Sequence, residues 1–117
     1  MKVFAKIVIL ILSNAVAIFV ASRIIDGIEV EASWMNYVIA GALLGVVNTF
    51  IRPVIKLLSL PFIILTLGFF TIIINIVLLF IVSFILPTFN IEGIFAAFWG
   101  VLIISIVNYL ISIFTDN

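Results

Sequence analysis

Few side chains in this sequence are equipped for chemistry, and four of them recur in one setting. Asn14, Asn48, Asn75 and Asn108 each lie in or beside a long apolar run. Each shares a helix face with small or weakly polar residues at three- and four-residue steps. The faces are Asn14, Ala17 and Ala21; then Gly41, Gly45 and Asn48; then Gly68, Thr71 and Asn75; then Ala97, Ser105, Asn108 and Ser112. The remaining helix positions are almost uniformly Ile, Leu, Val and Phe, so the four faces are expected to point inward. A carboxamide there either hydrogen-bonds across helices, for about 0.6 and up to about 2 kcal/mol, or lines a polar path or ion site. The first reading is preferred, because ion pathways carry Asp, Glu, His or Lys inside the membrane. Gly41 and Gly45 form a GxxxG pair that lets a neighbouring backbone come close. Gly68, after Leu67, is a third candidate for close helix packing or for a kink.

Charged candidates are fewer. Arg52 follows Asn48 by four residues, so the two meet on one helix face. Arg52 and Lys56 suit an interface, where they either bind lipid phosphate or anchor a helix end. Asp26, Glu29, Glu31 and Glu92 fall in polar stretches and read as solvated loop residues. The chain has no cysteine and no histidine. That excludes disulfides, most zinc, haem and iron–sulfur ligation, and Cys- or His-based nucleophiles. No paired carboxylates, phosphate-binding loop or serine-based arrangement is recognisable within the spans. No catalytic, cofactor-binding or metal-binding residue is therefore expected, and an enzyme is not. A net charge of zero gives no footprint for nucleic acid.

The elements that hold these residues follow from composition. The 117 residues are 68% hydrophobic and 9% charged, against about 45–50% and about 25% in soluble domains. A small soluble fold could not hide that excess; a bilayer removes the need. The expected architecture is an all-α polytopic membrane protein, a single transmembrane domain over residues 1–117. Its four helices cover about 3–22, 34–52, 61–86 and 94–114, each near the 20 residues that span the hydrocarbon. Pro53 ends or kinks the second helix, Pro61 opens the third and Pro87 follows its end. Residues 54–60 either form an interfacial segment or extend a neighbouring helix. Trp34, Tyr37 and Trp99 fit interfacial aromatics. Lys2, Lys6, Arg52 and Lys56 share one side and Arg23 alone the other, so positive charge favours N-in and C-in in a bacterial inner membrane.

The halves of the chain resemble each other at an offset of about sixty residues. Asn14 falls on Asn75, Phe19 on Phe80, Ser22 on Ser83 and Glu31 on Glu92; one residue of slippage later, Asn48 falls on Asn108. The fold expected is two tandem helical hairpins, a parallel internal repeat about an axis along the membrane normal. As the partner of the third helix, the first is expected to be retained and not cleaved as a signal peptide.

These residues also carry a family resemblance. The segment Asn48-Thr49-Phe50-Ile51-Arg52-Pro53 is followed by Leu60-Pro61, Leu65-Thr66-Leu67-Gly68-Phe69-Phe70 and Ile74-Asn75. Later come Phe89-Asn90-Ile91-Glu92-Gly93 and Phe95-Ala96-Ala97. In this order they resemble phage holin superfamily IV, the mycobacterial-type four-transmembrane holin family. The resemblance covers nearly the whole chain, with its specific part between Asn48 and Asn75. It implies a small bacterial inner-membrane protein that self-associates into a homo-oligomer and permeabilises the bilayer. The alternatives are a non-lytic accessory of other envelope membrane proteins, or a small channel or transporter lined by the asparagines.

Overall fold

A computed structural model describes residues 2–115. Helix α1 covers Lys2–Ile24, α2 Trp34–Phe50, α3 Arg52–Leu58, α4 Leu60–Leu65, α5 Phe70–Ile85 and α6 Gly93–Thr115. Two three-residue strands, β1 (Ile28–Val30) and β2 (Phe89–Ile91), join the elements at one end. Among the described residues, Lys2–Ile24, Trp34–Leu58 and Gly93–Thr115 are long and apolar enough to cross a membrane. Helix α5 is apolar but has 16 residues, about 24 Å at 1.5 Å per residue.

The proline at position 53 has no N–H to offer the carbonyl of Thr49, so α2 is interrupted at Ile51. The rod nevertheless continues, because Ile51 N–H bonds Val47 O at 2.9 Å and Ile55 N–H bonds Ile51 O at 3.1 Å. Residues 52–58 thus continue the second apolar helix past the interruption at Ile51. Pro61 then opens α4, at a first-turn position where its missing donor costs nothing.

The third apolar run differs from the expected single helix over 61–86. It is split into α4 and α5 by a helix-ending turn at Thr66–Phe69. Gly68 N–H returns to Ile63 O at 2.8 Å and Leu67 N–H to Ile64 O at 3.2 Å. This pair of bonds satisfies the last carbonyls of α4 and requires the intervening residue to be left-handed. That residue is Leu67, at φ 57°, and Gly68 follows at φ 94°. The Thr66 hydroxyl donates to Phe62 O and accepts from Phe70 N–H, tying the two helices across the break.

The polar stretches between the spans carry structure that periodicity did not suggest. β1 and β2 pair antiparallel, with Ile28 opposite Ile91, Glu29 opposite Asn90 and Val30 opposite Phe89. Beyond the ladder, Glu31 N–H bonds Thr88 O and Glu92 N–H bonds Gly27 O. Ile28 and Phe89 are fully buried beneath the ribbon, which closes one end of the bundle.

Helix α1 packs against α2 and α6, and α5 packs against the same two. The four helices form a ring in the order α1, α2, α5, α6. Small residues face the centre: Ala17, Ala21, Ala40 and Ala97 are fully buried. They let Ile18, Leu44, Leu78, Leu79, Val82 and Val101 fill the space between. The outer surface is Ile, Leu, Val and Phe, as lipid contact requires.

Candidate functional site

The ring centre holds two polar clusters, each built from side chains on different helices. In the first, Asn14 of α1 is buried to 1% exposure. Its Oδ1 accepts from Asn108 Nδ2 of α6 at 3.0 Å, and Asn108 Oδ1 accepts from the Ser13 hydroxyl at 2.7 Å. Asn14 Nδ2 is buried without a partner. In the second, Arg52 donates through Nη2 to Asn48 Oδ1 at 3.2 Å and also to Asn75 Oδ1 of α5. Its Nε is buried and makes no hydrogen bond.

The direction Arg52 takes is informative. A long basic side chain near a helix end ordinarily reaches outward to water. Arg52 instead reaches Asn75, which lies ten residues before the end of α5 at Ile85, about 15 Å from the ribbon end and near mid-depth of a ~30 Å hydrocarbon layer. A guanidinium at that depth costs about 2.5–3.5 kcal/mol on insertion scales unless it meets polar groups or water. The two asparagine oxygens provide part of that compensation. No carboxylate among the described residues provides the rest: Asp26, Glu29, Glu31 and Glu92 all lie in or beside the ribbon at the other end.

Two open spaces adjoin the clusters. A cavity of about 240 Å³ is lined by Asn48, Arg52, Asn75, Ser105 and Asn108, with Leu44 and others. A wider crevice of about 710 Å³ runs beside Asn14, Asn48 and Asn108 past Ser13 to Lys6 and Thr115, at the outer ends of α1 and α6. Asn48 and Asn108 line both spaces. Four asparagines of one chain are therefore brought to the bundle interior beside these two spaces, where they bond each other or Arg52.

Other expected positions divide. Gly41 and Gly45 lie on the α1–α2 contact: a Cβ on Gly41 would stand 2.6 Å from Ala15 N, and one on Gly45 3.3 Å from Leu10 Cδ2. Gly68 does not pack helices. No atom lies within 4 Å of where its Cβ would be, and its role is the positive-φ turn. Gly100 takes the packing place on α6, where a Cβ would fall 2.3 Å from Ile28 Cδ1. Its sequence signal is weak, a lone glycine in an apolar run. Ser105 is exposed on the bundle surface, unlike the rest of its expected inward face, although it borders the smaller cavity. Lys56 is exposed and stands apart from the Arg52 cluster. Ser13 and Lys6 were not singled out by spacing; they lie one and eight residues before Asn14 on α1, toward the same crevice. The described residues hold no group of three metal-capable side chains.

Comparison with known proteins gives one family. The family described as mycobacterial 4-TMS phage holin, superfamily IV, matches residues 5–110. The uncharacterised membrane protein YvlD of Bacillus subtilis is 33% identical over 86% of this chain and 85% of its own length. An uncharacterised protein of Streptomyces coelicolor is 29% identical over 91% of this chain and 92% of its own. No solved structure gives a significant match.

Proposed function

This chain belongs to the mycobacterial 4-TMS phage holin family of superfamily IV, and on that premise we propose that it self-associates and permeabilises the bacterial inner membrane. The observation that carries this reading is the segment α3–α4. No residue of either helix is fully buried: Arg52 turns its head group inward and Ile55 and Ile63 pack partly against the core, while the other apolar side chains face outward. Leu57, Leu58, Leu65, Leu67 and Phe69 are each more than 70% exposed. Helix α4, with 6 residues, is apolar yet too short to span, and it leads into α5, whose 16 residues are also shorter than the hydrocarbon layer. Short apolar elements thin the surrounding bilayer or recruit further copies, and both are steps toward permeabilisation.

The reading includes the tandem repeat and an N-in, C-in orientation. The repeat is supported by the ribbon, where hydrogen bonds recur at an offset of 61 residues. Glu31 to Thr88 corresponds to Glu92 to Gly27, and Ile28 to Ile25 corresponds to Phe89 to Leu86. The ring order also sets α1 diagonal to α5 and α2 diagonal to α6, as a twofold along the membrane normal requires. Orientation is supported by Lys2, Lys6, Arg52 and Lys56 lying away from the acidic ribbon.

The absence of native cysteine makes the test direct. Leu58→Cys and Leu65→Cys should give cross-linked dimers in membranes, while Phe95→Cys, exposed on α6, should not. Glu29→Cys should react with a membrane-impermeant thiol reagent added outside intact cells. Expression from a tight promoter should collapse membrane potential, and lysis should follow when an endolysin is co-expressed. Undisturbed potential at high expression would remove the permeabilising role; equal cross-linking at all three positions would remove the α3–α4 contact. A polar path through the protomer is the second reading, carried by the two spaces sharing Asn48 and Asn108.

A further inference from the structure

The Arg52 cluster contains more than helix packing needs. At an offset of sixty, Asn48 corresponds to Asn108 and Arg52 to Ser112; at sixty-one, Asn14 corresponds to Asn75. The Asn14–Asn108 pair joins its two helices by a direct hydrogen bond with no cation. The corresponding Asn75 and Asn48 both turn their oxygens to Arg52 instead. A structural link between these helices is therefore possible without a charge, as the other half of the molecule demonstrates. The charge is an addition, and it is held inside.

We propose that Arg52, with Asn48 and Asn75, binds the phosphate group of an anionic ligand in the adjoining cavity. Three observations converge on an oxyanion. Arg52 has no carboxylate partner among the described residues, and its Nε is a buried donor lacking an acceptor. A guanidinium is a planar fork suited to two oxygens of one phosphate, and Arg52 lines the cavity. Asn48 and Asn75 direct their oxygens at Arg52, which leaves their NH2 groups as further donors; Ser105 and Asn108 line the same cavity. The approach is also cationic. The crevice that meets the cavity at Asn48 and Asn108 has Lys6 near its far end, and the loop carboxylates are at the opposite end of the bundle.

The shared chemistry is a phosphate, delivered either by a lipid headgroup or as a free ion. The site does not depend on permeabilisation, and its test does not use it. The purified full chain in detergent is titrated with phosphatidylglycerol and read by native mass spectrometry. In parallel it is titrated with inorganic phosphate and read by thermal unfolding. The wild type should bind at least one probe, and Arg52→Gln should weaken that binding by about tenfold or more, as loss of a charge-assisted contact requires. Lys2→Gln, which removes the same charge elsewhere, should bind like the wild type. Retention of phosphatidylglycerol alone assigns the site to a headgroup; stabilisation by inorganic phosphate assigns it to a free anion. Asn75→Asp supplies Arg52 with a carboxylate and should also reduce binding by about tenfold, so the test survives poor folding of Arg52→Gln. No binding by the wild type, or binding by Asn75→Asp within twofold of wild type, overturns the proposal.

Discussion

Replacing Gly41 by alanine tests the packing argument at the point where the backbone leaves least room. The added Cβ would lie 2.6 Å from Ala15 N, 2.7 Å from Ile11 O and 2.9 Å from Ala15 Cα. All three are backbone atoms of α1, so no rotamer change relieves them. Ordinary contact begins near 3.4 Å, and α1 and α2 must part by about 0.8 Å. A gap of that size forfeits about a quarter to a half of each van der Waals well along the contact, and overpacking of this kind costs about 1–3 kcal/mol. Alanine recovers about 1 kcal/mol through its higher helix propensity, leaving a net loss of up to about 2 kcal/mol. Gly45→Ala is the internal control, since it shares the propensity gain. Its Cβ meets Leu10 Cδ2 at 3.3 Å and Asn14 Nδ2 at 3.5 Å, side-chain atoms that can give way. Gly45→Ala should be neutral or slightly stabilising. Reversible unfolding of both variants in micelles or bicelles should separate them by about 1 kcal/mol or more. Equal stabilities within about 0.5 kcal/mol, or a stabilised Gly41→Ala, would refute the claim that backbone contact at Gly41 sets the α1–α2 distance.

Two further outcomes follow from particular bonds. Asn14→Leu and Asn108→Leu should each destabilise the bundle, and a double-mutant cycle between them should yield a coupling near 0.6 kcal/mol, up to about 1.7; zero coupling in unfolding measurements would mean the 3.0 Å contact contributes nothing. Leu67→Gly should stabilise the chain by about 1 kcal/mol, because Leu67 holds φ 57° at the position where helix ends prefer glycine. Gly68→Ala, at φ 94°, should destabilise by a similar amount, and thermal unfolding of the two variants should shift in opposite directions.

The residues that were legible in the sequence are those whose role is local. Asn14, Asn48, Asn75 and Asn108 stood out because a carboxamide in a long apolar run is costly unless it is bonded. Gly41 and Gly45 were legible because their four-residue spacing puts both on one helix face. For Gly68 the same spacing, helical to Thr71 and Asn75, leaves close packing or a kink open, and the Leu67-Gly68 pair ends α4 in a left-handed turn. The break in the third span was hidden because all its apolar residues are compatible with a continuous helix, and only the returning bonds to Ile63 and Ile64 distinguish the two. The ribbon was hidden for a different reason. Three-residue strands are too short to show alternation, and each is stabilised by the other across sixty residues of chain.

The sequence by itself determined the solvent. Hydropathy is a sum over residues, so 68% apolar content commits the chain to lipid whatever its packing, and helices follow because the backbone must satisfy itself there. Only the tertiary structure decided which polar groups meet. Asn108 reaches Asn14 across 94 residues of chain, and Arg52 turns into the bundle to Asn75 across 23. Partner choice of that kind depends on how α1, α2, α5 and α6 close into a ring. Helical periodicity names the face a residue occupies, whereas the neighbour it meets is set by packing against other helices.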